Sequence, residues 1–346
     1  MLVRFSIQKT PDGQEFRRKA LVYTLEEHGV DRSRIDPDAV RVIQRLRQAG
    51  YQGYVVGGAV RDLLVGIVPK DFDIATNAHP GAVRKLFRSS RVIGRRFKLV
   101  HVYPRHDKYL EIATFRAGDD GRGSTPYGTL AEDALRRDFT LNALFYCPIK
   151  QQIVDYVGGV KDIRSRRMRT ISGERDSFEE DPVRIIRAVK HSSIVGFRLS
   201  FHMRRSIRQV SPRLADCSPQ RVTEELYKIL RCGRSGLVLQ NAFALGVLES
   251  VLPALYRRIA GSRARERALW ERLAAVDALP DSERTGEMPT GRLLAALLAD
   301  CVSPAGAPVS SVIEALRQAA APLAPSYKDL RVAAVALTGR GTSARP

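Results

Sequence analysis

The spacing of hydrophobic residues divides the chain at about Ile171. Before this residue, alternating apolar positions predict strands, as at 97–102 and 109–115, and a helical period runs over 36–49. Beyond it, apolar residues recur at helical spacing without an internal repeat. This change predicts an α+β unit followed by an all-α region.

The same patterns suggest four segments. Residues 1–35 are polar and charged, so we expect a weakly ordered N-terminal lead-in with one short helix near 23–28. A folded head is expected over 36–172. A helical neck over 173–233 and a helical body over 234–346 follow it.

A strand–turn–helix pattern is the most distinctive feature of the head. A buried strand is predicted to end at Val56, and a helix to begin at Ala59. Gly57 and Gly58 lie between them, where they let backbone N–H groups approach an anion beside the helix N-terminus. By itself a Gly-Gly after a strand is usually an ordinary turn, but here it also suits a phosphate group.

Two carboxylates follow this turn. Asp71 and Asp73 are two residues apart on a predicted strand, so both face one side, and Phe72 and Ile74 face the buried side. Two carboxylates directed at one point repel unless a divalent cation lies between them, and Mg²⁺ takes oxygen ligands together with substrate phosphates. A lone Asp-x-Asp is usually a solvated loop. Next to a phosphate turn, it predicts a nucleotidyl-transfer site with Mg²⁺ at Asp71 and Asp73.

Composition points to the partner and the compartment. The 346 residues include 57 Lys and Arg against 37 Asp and Glu, a formal charge of +20. This balance favours a polyanionic partner over a membrane, and no apolar run is long enough to span a bilayer. The four cysteines are scattered without a CxxC pair, which favours free thiols in a reducing cytoplasm over disulfides or a zinc site.

The two motifs together resemble those of one family. Gly-Gly-Ala-Val-Arg-Asp at 57–62 and Asp-Phe-Asp at 71–73 are similar to motifs of the bacterial poly(A) polymerase and CCA-adding tRNA nucleotidyltransferase family. The resemblance covers roughly residues 51–230 and implies a polymerase-β-like nucleotidyltransferase head on an all-α neck and body. In the head, it implies nucleotide binding by Gly57, Gly58, Arg61, Asp62, Arg137 and Asp138.

Two further segments of the head gain a role from this resemblance. Glu111 would be the third catalytic carboxylate, although a glutamate on a strand edge is ordinarily just exposed. Arg-Arg-Asp-Phe-Thr-Leu-Asn-Ala at 136–143 would hold the ribose and triphosphate through Arg137 and Asp138. An arginine fork suits phosphate because it donates two parallel hydrogen bonds. Without the resemblance, this segment is typical of an exposed ion-pair cluster.

The resemblance also assigns base recognition to the neck. Asp181 precedes Pro182 and is a strong N-cap on physical grounds alone. In the family, Asp181 would accept from an exocyclic amine and Arg184 would donate to the adjacent ring nitrogen. Adenine and cytosine both offer this pattern, whereas uracil and guanine do not. A helix beginning at 218 and carrying Arg221 would support this segment.

The implied reaction is template-independent transfer of AMP from ATP to an RNA 3′-hydroxyl with release of pyrophosphate, as in RNA polyadenylation for processing or decay. Ile-Gly-Arg-Arg-Phe at 93–97 resembles the poly(A) polymerase branch. Two alternatives stay open. One is CCA- or A-addition to tRNA by the same chemistry. The other is a catalytically inactive RNA-binding protein, against which the intact Asp71, Asp73 and Glu111 argue.

Overall fold

The chain folds into two compact units, Met1–Ile171 and Ser172–Pro346. The structure is a computed structural model. It describes residues 2–9, 15–94, 98–105, 108–117, 127–285 and 289–339. Arg95, Arg96 and Phe97, part of the segment that resembles the poly(A) branch, lie outside these residues.

The first unit is built on a mixed sheet. Its strands, numbered in chain order, are β1 Leu2–Lys9, β2 Glu15–Tyr23, β3 Gly53–Val56, β4 Asp73–Thr76, β5 Ser90–Ile93, β6 Leu99–Arg105, β7 Lys108–Thr114, β8 Leu144–Cys147 and β9 Gln152–Asp155. Their order in space is β1-β2-β9-β8-β3-β4-β7-β6-β5. Among these described strands, β4 and β7 pair in parallel, and the other neighbours are antiparallel.

Six short helices connect the strands. They are α1 Leu25–His28, α2 Pro37–Gln48, α3 Gly58–Leu64, α4 Pro80–Leu86, α5 Leu130–Leu135 and α6 Gly159–Arg164. The predicted helix over 36–49 is confirmed as α2, whose first turn is capped by the side chain of Asp36. A capping box formed by Thr129 and Glu132 begins α5, because each side chain accepts from the other residue's backbone N–H.

Both faces of the central strands are covered. On one face, α5 contributes Ala134 to an apolar cluster with Val56, Ala75, Phe115 and Phe145. On the other face, α2 packs so closely that a Cβ atom on Gly53 would lie 3.3 Å from Cγ2 of Ile43. Two-sided burial fixes the register of β3, β4 and β7, because a slip of one residue would exchange the two faces.

The prediction that residues 1–35 form a weakly ordered lead-in is wrong. β1 and β2 pair as an antiparallel hairpin, and β2 continues the sheet by pairing with β9. This pairing buries Ala20 and Val22. Three successive charged residues, 17–19, interrupt the alternation of apolar and polar residues in β2, and this interruption concealed the strand pattern. The short helix predicted near 23–28 is present as α1.

The described residues of the second unit form helices and short 3₁₀ turns, which confirms the all-α prediction. The helices are α7 Glu174–Glu180, α8 Val183–Val195, α9 Phe201–Val210, α10 Pro219–Leu230, α11 Ser235–Ala244, α12 Val247–Val251, α13 Pro253–Ile259, α14 Arg263–Asp277, α15 Asp281–Thr285, α16 Pro289–Leu298, α17 Val309–Ala320 and α18 Tyr327–Thr338. Apolar residues of α8, α10, α11 and α12 line a single core. The first helices of the predicted body therefore pack together with the neck.

Within the described parts of both units, no helix is long and apolar enough to cross a membrane.

Candidate active site

The turn between β3 and α3 has the conformation that its glycines predict. Gly57 adopts φ +68° and ψ −133°, which is strained for residues with a side chain, and α3 begins at Gly58. A Cβ atom on Gly57 would lie 3.6 Å from Nη1 of Arg137, and one on Gly58 would lie 3.3 Å from Nη2 of Arg61. Two guanidinium groups thus border the glycine turn, where an anion would meet both charge and backbone N–H groups.

Arg61 is buried, with only 7% of its surface exposed, and two side-chain hydrogen bonds hold it in place. Its Nε donates to Oδ1 of Asp62 at 2.8 Å, and its Nη1 donates to Oδ1 of Asn142 at 2.9 Å. Asp62 therefore contacts the arginine and orients it. Its predicted contact with the nucleotide stays a prediction.

Arg137 is held from three sides. Its Nη2 and Nε donate to Oδ2 of Asp133 at 2.8 and 3.2 Å, and Nη1 donates to the backbone carbonyl of Asn142 at 3.2 Å. The guanidinium carbon also lies 5.1 Å from the centre of the Phe145 ring. Burial alone would raise the pKa of Asp133, but Arg137 and Arg136 outweigh it and hold the pKa below its ordinary value. Asp133 stays ionised and keeps the arginine oriented.

Asn142 connects these groups to Asp138. Besides its contacts with both arginines, Asn142 donates from Nδ2 to Oδ1 of Asp138 at 3.2 Å. Asp138 is buried and also accepts from the backbone N–H of Phe139. Asp133 and Asn142 were not among the predicted site residues. Both lie within or beside the Arg-Arg-Asp-Phe-Thr-Leu-Asn-Ala segment, which was the available signal.

The carboxylates alternate with buried residues as predicted. Asp71 and Asp73 are exposed, whereas Phe72 and Ile74 are buried. Asp73 begins β4 and pairs with Val56, the residue that precedes the glycine turn. On the other side, Ile74 pairs with Ile112 of β7, so Asp73 and Glu111 lie on the same face of adjacent strands. Asp71 lies just before the strand.

The donor set fits a magnesium ion that is completed by substrate. Among the described residues, no group of three or more His, Cys, Asp or Glu side chains is close enough to hold a metal. Mg²⁺ does not require such a cage, because it commonly binds one or two carboxylates and takes its other ligands from water and phosphate. Asp71 and Asp73 supply hard oxygen donors next to the turn that would carry the phosphates.

In the second unit, Asp181 and Arg184 lie at the junction of α7 and α8. Oδ2 of Asp181 accepts from Nη2 of Arg221 at 2.8 Å, which is the support expected from the helix that carries Arg221. Oδ1 of Asp181 accepts from the N–H of Val183 at 3.3 Å, so Asp181 also caps α8. Arg184 donates from Nη1 to Glu180 and to the Ser177 hydroxyl.

The geometry of the first unit is that of a nucleotidyltransferase head. Residues 53–169 match the family model described as the poly A polymerase head domain. Residues 196–258 match the one described as "probable RNA and SrmB-binding site of polymerase A". The chain belongs to the bacterial poly(A) polymerase and CCA-adding tRNA nucleotidyltransferase family.

Sequence relatives come from both branches of this family. Poly(A) polymerase I of Salmonella typhi is 37% identical over 270 residues, which cover 73% of this chain and 58% of that protein. Poly(A) polymerase I of Escherichia coli O6:H1 is 41% identical over 233 residues, covering 63% and 50%. The CCA-adding enzyme of Bacillus velezensis is 34% identical over 223 residues, covering 63% and 56%. The chain therefore spans 50% to 58% of the length of these relatives.

Solved structures share the fold. The Bacillus stearothermophilus CCA-adding enzyme in complex with CTP superposes with a TM-score of 0.60 at 28% identity, over 88% of this chain and 79% of that one. A tRNA nucleotidyltransferase complexed with a primer tRNA and an incoming ATP analog gives a TM-score of 0.59 at 24% identity, over 87% and 84%.

Proposed function

We propose that this protein is a template-independent poly(A) polymerase that transfers AMP from ATP to RNA 3′ ends and releases pyrophosphate. The observation that best supports nucleotidyl transfer is a pair of oriented arginines, Arg61 and Arg137, at the glycine turn. This turn lies beside the strand that begins with Asp73. The choice of poly(A) addition is supported by the higher identity to two poly(A) polymerases, 37% and 41%, than to a CCA-adding enzyme, 34%.

In this proposal, the triphosphate binds at Gly57 and Gly58. Backbone N–H groups of the turn donate to one phosphate, while Arg61 and Arg137 neutralise charge on the others. Both guanidinium groups are already held by Asn142, and Arg137 also by Asp133. They need little reorganisation when charge develops on the leaving pyrophosphate, and such preorganised groups are the most effective in catalysis.

Asp71 and Asp73 would hold Mg²⁺, and Glu111 would complete the acidic face. A divalent ion bound there supplies charge neutralisation on the phosphates and favours ionisation of the attacking hydroxyl. The contribution of the chain itself is to place two carboxylates beside the phosphate turn. The carboxylates also orient the RNA 3′-hydroxyl toward the α-phosphate.

Base selection is proposed for Asp181 and Arg184. The side-chain hydrogen bonds of Arg184 to described residues use only Nη1, so Nε and Nη2 keep donors for a base. Asp181 is oriented by Arg221, and an ionised carboxylate accepts more hydrogen bonds than the two that it makes here. These groups suit the amine and ring nitrogen of adenine or cytosine. They do not distinguish ATP from CTP.

The acceptor is proposed to be RNA, in the cytoplasm. The formal charge of +20 and the match of residues 196–258 to an RNA-binding family model support this partner. A basic surface binds single-stranded RNA through its phosphates, so binding does not require the folded shape of a tRNA.

The test supplies purified protein with each single NTP, using a truncated tRNA and an unstructured oligonucleotide as acceptors. Poly(A) polymerase activity is expected to give a long ladder from ATP alone on the unstructured RNA, with little use of CTP. Radiolabelled products are resolved on a sequencing gel. If only the truncated tRNA is extended, and only by C-C-A, poly(A) addition is wrong.

CCA addition is the second candidate. It is favoured by the similarity to the CCA-adding enzyme in complex with CTP. A CCA-adding enzyme must change base and stop after three nucleotides, so it would need both CTP and ATP and would give a short ladder. The same gel separates the two candidates.

A further inference from the structure

A row of aromatic side chains, half-buried at His101 and Tyr103 and exposed at Tyr109, lies on the outer strands of the first unit. The rings of His101 on β6 and Tyr109 on β7 are stacked, with their centres 4.3 Å apart and their planes 14° apart. The ring of Tyr103 lies 6.3 Å from that of Tyr109. Tyr109 is 54% exposed, so the stack offers an open aromatic surface to solvent.

The strand register places this row next to the carboxylates. His101 pairs with Glu111 on β7 and with Arg91 on β5, so the three side chains lie on one face. Asp73 lies on that same face of β4. A ligand lying across β5, β6 and β7 would therefore lead directly to the acidic face at which the RNA 3′-hydroxyl is proposed to react.

A basic groove adjoins the aromatic row. It has a volume of about 620 Å³ and is lined by Arg88, Ser89, Ser90, Arg91, Tyr103, Pro104 and Arg105. The three arginines are exposed. Arg105 is partly neutralised by Asp38, whose Oδ2 lies 3.5 Å from its Nε, so Arg88 and Arg91 carry more of the free charge. Guanidinium forks and hydroxyl groups together suit phosphate oxygens.

We propose that this surface binds the 3′-terminal segment of single-stranded RNA, as an acceptor platform made of Arg88, Arg91, His101, Tyr103, Arg105 and Tyr109. Bases stack on the aromatic side chains, and the phosphates lie in the groove beside Tyr103. Exposed aromatic groups next to arginines on a sheet are the usual means of holding unpaired nucleotides, because every base has a face that can stack. The proposal rests on the proposed function, since it assigns that function its acceptor site.

The first test measures stacking. A fluorescently labelled oligo(A) is titrated with protein without ATP or metal, and its anisotropy gives the affinity. Tyr109→Ala is expected to weaken binding about tenfold, and Tyr109→Phe to bind as wild type, because base–aromatic stacking requires the ring alone. Tyr127→Ala is the matched control. Tyr127 also contacts a histidine, His79, with ring centres 4.3 Å apart, but it does not belong to the acceptor platform.

The second test separates charge from stacking. A plot of log affinity against log salt concentration has a negative slope. Replacement of both Arg88 and Arg91 by Ala is expected to make this slope less steep by about 1.4, since each phosphate contact contributes roughly 0.7 for a single strand. Tyr109→Ala should leave that slope unchanged. Equal affinity of Tyr109→Ala, Tyr127→Ala and wild type would overturn the proposal, as would an unchanged slope in the arginine variant.

These readouts are independent of the proposed reaction, because no nucleotide is transferred. A protein that adds C-C-A rather than poly(A) still supports the platform if Tyr109→Ala loses oligo(A) binding. A protein that polymerises AMP while Tyr109→Ala keeps wild-type affinity overturns the platform and leaves the proposed function standing. ATP affinity and the circular dichroism spectrum of each variant show that a loss of RNA binding is not a loss of folding.

Discussion

Asp133 receives two hydrogen bonds from the guanidinium of Arg137, at 2.8 and 3.2 Å, through a carboxylate that is only 2% exposed. Nη2 of Arg136 lies 2.7 Å from the other oxygen of the same carboxylate. One buried negative charge therefore orients two arginines of the segment expected to hold the triphosphate. In the proposed function, Asp133 would act on the nucleotide through these arginines, as a positioning residue.

Asp133→Asn is expected to loosen Arg137 while keeping the volume of the side chain. The free energy of unfolding should fall by about 3 kcal/mol, because removal of the carboxylate leaves two partly buried arginines without their counter-charge. KM for ATP should rise about tenfold, since the misplaced fork loses roughly one charge-assisted hydrogen bond. Urea unfolding and initial rates measure the two effects.

Glu132→Ala is the matched control for this change. Glu132 is the adjacent acidic residue and belongs to the capping box of α5. Its loss should cost about 1 kcal/mol of stability and leave KM for ATP unchanged. Equal KM values in the Asp133 and Glu132 variants would show that the orientation of Arg137 does not matter for ATP.

Asp71→Ala is expected to reduce nucleotide incorporation below about a tenth of wild type, because removal of a group that acts at the reacting centre has a large effect on rate. RNA affinity should be nearly unchanged, since the carboxylate does not bind the RNA backbone. Primer extension and anisotropy are measured on the same preparation. Asp31→Ala, which removes an exposed aspartate that caps a 3₁₀ turn in the same unit, should retain full incorporation.

Asp181→Ala is expected to relax nucleotide selection, so that UTP and GTP are incorporated at a larger fraction of the ATP rate. Arg221→Ala should have a weaker effect in the same direction, because it releases Asp181 from its 2.8 Å contact without removing the acceptor. Single-nucleotide incorporation rates for the four NTPs measure selection. A variant of Asp181 that slows equally with all four would act only as the cap of α8.

A buried ion pair between α8 and α10 predicts a pH dependence of stability. Nζ of Lys190 lies 2.6 Å from Oε2 of Glu225, and both side chains are 9% exposed. Burial alone would raise the pKa of Glu225, but Lys190 and Lys228 outweigh it and lower the pKa to about 2. In the unfolded chain, the carboxyl titrates at about 4.3. The stabilisation, about 3 kcal/mol, is therefore complete above about pH 4.3 and is lost as the pH falls through 2.

Urea unfolding between pH 2 and 6 checks this prediction. Glu225→Gln should be less stable near neutral pH and should lose this part of the pH dependence. Glu224→Gln, at the exposed neighbouring position, should follow the wild-type profile. If the free energies of unfolding of Glu225→Gln and wild type fall in parallel below pH 4, Glu225 is not the titrating group.

The sequence predicted the features that depend on neighbouring residues. The glycine turn and the alternation around Asp73 are local, and the structure has both of them. The hairpin of β1 and β2 was missed, because β2 joins the sheet by pairing with β9, whose partner residues lie 130 to 134 positions later in the chain. A charged strand carries little sign of such a distant partner.

The supporting residues of the candidate site were missed for a related reason. Asp133 resembles the ordinary acidic residue of a first helical turn, and Asn142 lies in a 3₁₀ turn of no special pattern. Their importance lies in what they contact: Asp133 binds Arg137, and Asn142 reaches Arg61, 81 positions earlier in the chain. Sequence spacing gives no measure of such contacts. The catalytic and nucleotide-binding roles of the predicted residues stay predictions.

The strands β5, β6 and β7 follow one another in the chain and also lie side by side at one edge of the sheet. The groups proposed to orient the triphosphate, Arg61 and Arg137 with the glycine turn, come from other segments, before β4 and after β7. In evolutionary terms, the proposed acceptor site and the proposed triphosphate site therefore lie on separate segments of the gene. A descendant gene could vary the outward-facing residues of this edge other than Glu111, and could so acquire a different acceptor while it keeps the proposed phosphate site.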